Sequence, residues 1–314
     1  MQLVKTIDDI SQKLPGSCVT IGNFDGVHKG HQALLSRVRE SAEELGLPSV
    51  VMTFDPHPLR IFSKAKNPPF ITLLDQKLEL MEAMGVDYVF CVEFTRELAA
   101  LDPGEFVRTY LVRALNVRQL VIGYDYAFGK GRQGGYELLR ELGRQHGFTV
   151  EQLAPVIVGD DIVSSTRIRE MVEAGNVWEA RPLLGRFYRV AGQVVRGLNR
   201  GGRLLGFPTA NLQLIDELFP KPGVYAVWAE LETGIFPAVA NIGFNPTFGN
   251  EVLSVEVHLL EYAGDLYDKP LRVHFVQRLR SEKKFSGLEE LKEQISRDIA
   301  LGKAILSSEE ARLS

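Results

Sequence analysis

The chain has 314 residues, of which 45% are hydrophobic and 24% charged, and its formal net charge is -4. Those fractions belong to a folded globular protein, and the acidic balance argues against a nucleic-acid partner, which usually meets a basic excess. At about 150 residues per domain, the length suggests two domains.

The opening stretch, MQLVKTIDDI, has no apolar signal core. No run of about 18 apolar residues follows anywhere, so no membrane span is expected and the chain reads as cytoplasmic. Up to about residue 180, short β-rich runs alternate with helical patterns. The expected strands are Cys18–Gly22, Ser49–Phe54, Tyr88–Phe94, Gln119–Gly123 and Thr149–Leu153. Between them, Leu34, Leu35, Val38, Ala42 and Leu45 form one helical stripe, and Phe106, Tyr110, Leu111 and Leu115 belong to another. Strand following helix in this way implies an α/β fold with a parallel sheet covered on both faces, whose ligands bind at the carboxyl ends of the strands. The two cysteines, Cys18 and Cys91, lie inside apolar runs with no His/Cys cluster, so they read as buried small hydrophobes rather than as a disulfide or zinc site.

After Gly185 the rhythm becomes strand upon strand: Tyr188–Val195, Val224–Leu231, Ala238–Ile242, Ser254–Leu260 and Leu271–Gln277, joined by Gly, Pro, Asn and Asp. This spacing predicts an antiparallel barrel or sandwich. A closing helix carries Leu288, Leu291, Ile295 and Ile299 on one face. The domain change is placed at the Pro182 break, giving domains 1–183 and 184–314.

Behind the first strand stands Gly22-Asn23-Phe24-Asp25-Gly26-Val27-His28-Lys29-Gly30-His31. Glycines let a backbone turn tightly and approach a ligand, and His28 and His31 fall at the start of the next helix on one side of it. A helix N-terminus attracts phosphate, and two imidazoles there can donate to a polyphosphate. That suits nucleotidyl transfer, which needs alignment and charge stabilisation rather than a protein nucleophile. The alternatives are a surface turn with two solvated histidines, or a metal pair. The string resembles the signature of the His-x-Gly-His nucleotidyltransferase superfamily. Ser164-Ser165-Thr166-Arg167-Ile168-Arg169-Glu170 opens a helix with hydroxyls and then arginines, and is similar to that superfamily's second phosphate motif. Asp125, at the end of an apolar strand in Gly123–Gly129, is a ligand contact or a turn former, and His57 in Thr53–Pro58 is equally open.

Taken together, Gly22–His31, Thr53–Pro58, Gly123–Gly129 and Ser164–Glu170 resemble the amino-terminal domain of the prokaryotic bifunctional riboflavin kinases/FAD synthetases. Leu205-Gly206-Phe207-Pro208-Thr209-Ala210-Asn211-Leu212 is similar to the riboflavin-kinase motif, and segments at 222–225, 241–248, 255–260 and 279–285 follow in that family's order. The resemblance implies a Rossmann-like nucleotidyltransferase domain followed by a Greek-key β-barrel with a C-terminal helix. It implies that riboflavin, FMN, FAD and ATP are the ligands. His28, His31 and Arg167 would act in adenylyl transfer. Gly22, Phe24, Asp25, Gly26, Gly30, Asp125, Ser164, Ser165 and Thr166 would bind the nucleotide there. In the second half, the resemblance implies that Gly201, Gly202, Arg203, Gly206 and Pro208 bind ATP. Thr209 and Asn211 would support Mg²⁺, and their neutral oxygens suit that ion. Glu256 would be the general base, and Arg280, Glu282 and Phe285 would form a flavin-side segment. Alternation puts Ser254, Glu256 and His258 on one strand face, which a plain solvated face would explain as well. Phe285 could stack on the flavin ring or staple the last helix. The loop Arg196–Arg203 resembles that family's glycine-rich ATP loop but departs from the commoner form at Leu198 and in its paired Gly201-Gly202. The sequence leaves a homo-oligomer open.

Overall fold

The computed structural model describes residues 1–62, 69–196, 207–215, 217–247 and 250–313. The chain packs as two units, Met1–Ser165 and Thr166–Ser314.

The first unit is built on a six-stranded parallel sheet: β1 (Gln2–Val4), β2 (Ser17–Ile21), β3 (Ser49–Asp55), β4 (Tyr88–Glu93), β5 (Val117–Gly123) and β6 (Thr149–Leu153). Their order is β1-β4-β3-β2-β5-β6. Five of these strands match the expected ones within a few residues. The edge strand β1, only three residues long, is too short to show periodicity. The helices are α1 (Ile7–Ser11), α2 (Lys29–Leu45), α3 (Pro58–Phe62), α4 (Leu74–Ala83), α5 (Arg96–Ala99), α6 (Pro103–Phe106) and α7 (Tyr136–His146), and a small hairpin, β7 (Ile157–Val158) with β8 (Asp161–Ile162), follows. After α6 the helix widens to i→i+5 bonding over Val107–Ala114 and closes with the Leu115 N–H on the Tyr110 carbonyl at 3.0 Å.

The central strands β2, β3 and β4 are buried on both sides, as strands inside a parallel sheet are, whereas the edge strands β1 and β6 are largely exposed or half-buried. Val19, Ile21, Val50 and Met52 enter one apolar core, and Cys18, Val51, Val89 and Cys91 enter the other. Both cysteines are buried free thiols, and burial pushes the Cys18 thiol up to about 11 and raises that of Cys91. The stripe on α2 is buried at Leu34, Leu35, Val38 and Ala42. Leu45 is exposed instead, because it is the last helical residue before the left-handed turn at Gly46 (φ 64). The strand order reverses about β2. The loops after β2 and β5 therefore leave the sheet at the switch point, where such sheets bind ligands.

Helices α8 (Ser165–Ala174) and α9 (Val177–Leu184) lead into the barrel. The expected boundary at 183/184 follows the change in strand rhythm, whereas contacts divide the chain earlier, since α9 packs on strands of the second unit. Pro182 does not break the chain there: it sits inside α9, which ends at Gly185 (φ 72).

The second unit is a closed antiparallel barrel of β9 (Tyr188–Val195), β10 (Ala210–Leu212), β11 (Gly223–Leu231), β12 (Gly234–Thr247), β13 (Asn250–Leu259) and β14 (Pro270–Arg280). Three successive strands, β11, β12 and β13, are joined in order, and β14 returns beside β11, which is the Greek-key arrangement. Alternation on β13 places Val255, Val257 and Leu259 inside the barrel, with Ser254, Glu256 and His258 half-buried on its outer face. Helix α10 (Leu288–Leu306) packs on β11, β12 and β14. Its buried face is Asp298, Gly302 and Leu306, one turn apart each, whereas Leu288 is 68% exposed and Leu291, Ile295 and Ile299 are only half-buried. The expected stripe misses this because the first buried position along the helix is held by an ion pair. The Arg280 guanidinium grips Asp298 with Nε at 3.0 Å and Nη2 at 2.7 Å, and Gln294 Nε2 adds a bond at 2.9 Å. Asp298→Ala leaves that guanidinium without its counter-charge, so the second unit should lose about 3 kcal/mol in urea unfolding.

Candidate active sites

The loop after β2 carries left-handed backbone at Phe24 (φ 50), Gly26 (φ 89) and Val27 (φ 38). Glycine takes this conformation freely at residue 26, but at Phe24 and Val27 it costs energy. Buried contacts hold it. The Asp25 carboxylate, 2% exposed, accepts the backbone N–H of Ile71 at 3.0 Å and of Thr72 at 3.1 Å. Thr72 Oγ1 accepts the Gly26 N–H at 2.9 Å, Ser165 Oγ donates to the Asp25 carbonyl at 2.8 Å, and Lys77 Nζ donates to the Asn23 carbonyl at 2.7 Å. Phe24 is fully buried. Phe24 and Asp25, two of the residues that the resemblance assigns to nucleotide binding, are buried within this loop, and the Asp25 carboxylate anchors it.

The loop delivers His28 as the N-cap of α2, with Nδ1 accepting the His31 N–H at 3.3 Å. Acceptance at Nδ1 leaves the proton of a neutral His28 on Nε2, as a donor. The His28 and His31 rings stack at 3.6 Å and 14°, and the Phe24 ring meets His31 edge-on at 5.1 Å. Gly30 passes so close that a Cβ there would lie 3.2 Å from the His28 ring, and a Cβ at Gly22 would lie 3.2 Å from the Phe24 ring. Two near-parallel imidazoles thus sit at the N-terminus of a long helix, where free N–H groups and the helix dipole favour an anion. Asp125 is exposed in the turn after β5, in which the Tyr126 N–H bonds the Gly123 carbonyl at 3.2 Å. Ser164 precedes α8, Thr166 is exposed on it, and Arg167 pairs with Glu170 at 3.4 Å. His57 Nδ1 accepts the Leu59 N–H at 3.2 Å and its ring packs on Phe70.

On the barrel, antiparallel register sets Asn211 of β10 directly opposite Glu256 of β13, with Asn241 of β12 opposite it on the other side. Thr209 Oγ1 donates to Glu256 Oε2 at 3.4 Å. His258 Nδ1 donates to the Pro208 carbonyl at 2.8 Å, and the Phe207 ring stands edge-on to His258 at 5.7 Å, so the Phe207–Thr209 stretch is tied to β13. A methyl group at Gly243 would collide with the Glu282 carboxylate and lie 3.4 Å from the Asn241 amide nitrogen, which brings Glu282 beside this row. Thr209, Asn211, Glu256 and Glu282 therefore come together on the outer barrel face. Arg280 does not join them, because it turns to Asp298. Phe285 is half-buried between two cations, with Arg280 Cζ 5.8 Å and Lys283 Nζ 5.4 Å from its ring centre. Lys283 and Ser286 meanwhile converge on Glu290, holding its carboxyl down at about 2. Gly201, Gly202, Arg203 and Gly206 lie outside the described residues.

Three residues of these sites were not picked out from sequence. Thr72 stands where a helix cap would be sought, but its hydroxyl serves Gly26, and α4 is left without a side-chain cap. Lys77 reads as an ordinary helix-surface lysine. Asn241 lies in a quoted segment but carries no mark of its own.

The FAD synthetase family model matches residues 10–167 and the riboflavin kinase family model matches residues 184–306. The chain is 43% identical to a bifunctional riboflavin kinase/FMN adenylyltransferase of Pseudomonas fluorescens, over 97% of this chain and 98% of that one. It is 38% identical to the protein so named from Bacillus subtilis, over 92% of each. A solved structure described as a macrolide-efflux protein from Streptococcus pneumoniae superposes with a TM-score of 0.87 at 31% identity, covering 96% of this chain and 99% of that one. Among the described residues of the present chain, no helix is long and apolar enough to cross a membrane. With a parallel-sheet unit holding stacked histidines at a helix start, a Greek-key barrel holding the Thr209–Asn211–Glu256 group, and relatives matched end to end, the chain belongs to the bifunctional riboflavin kinase/FMN adenylyltransferase family.

Proposed function

We propose that the two reactions of this family are run by two separate groups of side chains, assigned to domains 1–183 and 184–314. In the first, a phosphate oxygen of FMN attacks the α-phosphorus of ATP, pyrophosphate leaves, and FAD forms. His28 and His31 donate to the polyphosphate at the N-terminus of α2, and Gly22, Gly26 and Gly30 keep that approach clear. Ser164, Ser165, Thr166 and Arg167 form the second phosphate-holding segment, and Asp125 meets the nucleotide from the loop after β5. The observation that carries this reading is the 3.6 Å stack of the two imidazoles at a helix start.

In the second reaction, the ribityl 5′-hydroxyl of riboflavin gives its proton to Glu256 and attacks the γ-phosphorus of ATP, releasing ADP and FMN. Positioning and charge stabilisation do most of that work, with the carboxylate orienting the hydroxyl. The Thr209 hydroxyl and the Asn211 amide oxygen are neutral hard oxygen donors on the half-buried face that carries Glu256. They fit Mg²⁺, which keeps waters and substrate phosphates in its shell. When bound, that ion neutralises charge on the ATP phosphates. Glu282 and Phe285 border the flavin side, with Arg280 supporting them from Asp298. The cytoplasm is the proposed location.

His28→Ala should cut FAD formation by about 10²- to 10³-fold and leave FMN formation intact, while Glu256→Ala should do the reverse, as followed by chromatography of flavins with riboflavin, ATP and Mg²⁺. Loss of both activities in either variant would point to one shared centre. Thr209→Val should raise the Mg²⁺ concentration needed for half-maximal FMN formation by about tenfold, with FAD formation from supplied FMN unaffected.

A further inference from the structure

We infer that Lys77 is a positioning residue of the adenylylation site: its ammonium holds the Asn23 carbonyl, and through it the turn that aims His28. The inference rests on the reading of His28 as a phosphate-binding group. Lys77 lies in the first turn of α4, is 5% exposed, and donates to Asn23 O at 2.7 Å. Thr53 Oγ1 approaches the same carbonyl at 3.5 Å, a length too great for the hydroxyl to hold it alone. From Asn23 the chain runs through three left-handed residues, Phe24, Gly26 and Val27, before reaching His28. A strained turn keeps its shape only where its surroundings over-determine it. The Asp25 side is fixed by Ile71, Thr72 and Ser165. The entry side, at Asn23, is fixed by Lys77.

A carbonyl needs a donor, not a charge, and burying an ammonium costs several kcal/mol. Burial pulls the Lys77 pKa down, and the carboxylates of Asp25 and Asp55 push it back up. Asp25 is already served by two backbone amides, so it does not need the lysine. What the position offers is a long side chain with several donors that reaches the Asn23 carbonyl from α4. A donor fixed there holds the loop without reorganising during the reaction.

The test uses the full chain with Lys77→Met and Lys77→Ala, measuring FAD formation from FMN, ATP and Mg²⁺. The expected result is a kcat lower by about 10²-fold, with KM for ATP and FMN nearly unchanged and riboflavin phosphorylation at the wild-type rate. Ethylammonium added to Lys77→Ala should recover part of the lost kcat. Wild-type kcat in both variants overturns the proposal, as does a loss that appears in KM with kcat kept. A folded Lys77→Ala that ethylammonium does not restore assigns the residue to packing. Loss of the first unit's calorimetric transition in both variants assigns it to stability, and either outcome also overturns the proposal. His28→Ala is run alongside: if it retains FAD formation, the imidazole reading fails on its own account and Lys77 has nothing to position.

Discussion

The turn between β2 and α2 is held in a conformation its own residues disfavour. Phe24 and Val27 both lie at positive φ, each at a cost of about 1–3 kcal/mol, so the shape has to be imposed from elsewhere. It is imposed by a loop and helix about 50 residues further along, whose backbone amides and side chains meet the turn inside the protein, away from competing water. The buried Asp25 carboxylate takes charge-assisted bonds, stronger than neutral ones. Everything downstream depends on this. The direction in which the chain leaves Val27 decides that His28 caps α2, the cap decides the tautomer, and the tautomer decides which nitrogen remains a donor.

The barrel solves the same problem of presenting polar groups by a different route. Its interior is filled with aliphatic side chains such as Val255, Val257 and Leu259, and a strand that buries every second residue must turn the others outward. Glu256 faces outward for that reason, and pairing on both sides sets Asn211 and Asn241 beside it. The row is precise because ladder hydrogen bonds, not side-chain contacts, fix it. Elsewhere α10 packs on the barrel's outer surface over β11, β12 and β14, away from the β10–β13 pair.

Much of this was legible in the sequence. Strand and helix rhythm in the first half located five of the six sheet strands, because buried parallel strands are continuous apolar runs. Alternation on β13 separates Ser254, Glu256 and His258 from the buried Val255, Val257 and Leu259, as the structure shows. What periodicity could not show was anything whose meaning is non-local. The resemblance marks Asp25 as nucleotide-binding, and only tertiary structure shows that its carboxylate takes the Ile71 and Thr72 amides. The closing helix resembled a Leu/Ile stripe, yet its buried face includes Asp298, a charge no apolar pattern admits unless Arg280 is known to lie opposite. Short elements also escaped: β1 and β10, three residues each, hold too few positions for a period of two to register.

Two reactions on one nucleotide explain why a single chain needs two unlike sites. Adenylyl transfer breaks the bond between the α- and β-phosphates, so charge gathers on the α-phosphate and on a departing pyrophosphate. Groups that donate along a polyphosphate, such as helix N–H groups and imidazoles, answer that need without a base, since the FMN phosphate is already an anion. Phosphorylation of riboflavin breaks the bond to the γ-phosphate, and the incoming group is a neutral hydroxyl whose proton must go somewhere. That reaction calls for a carboxylate within reach of the hydroxyl and oxygen donors for a cation on the phosphates. The first unit places stacked imidazoles at a helix start, and the barrel places a glutamate between two asparagines beside a threonine.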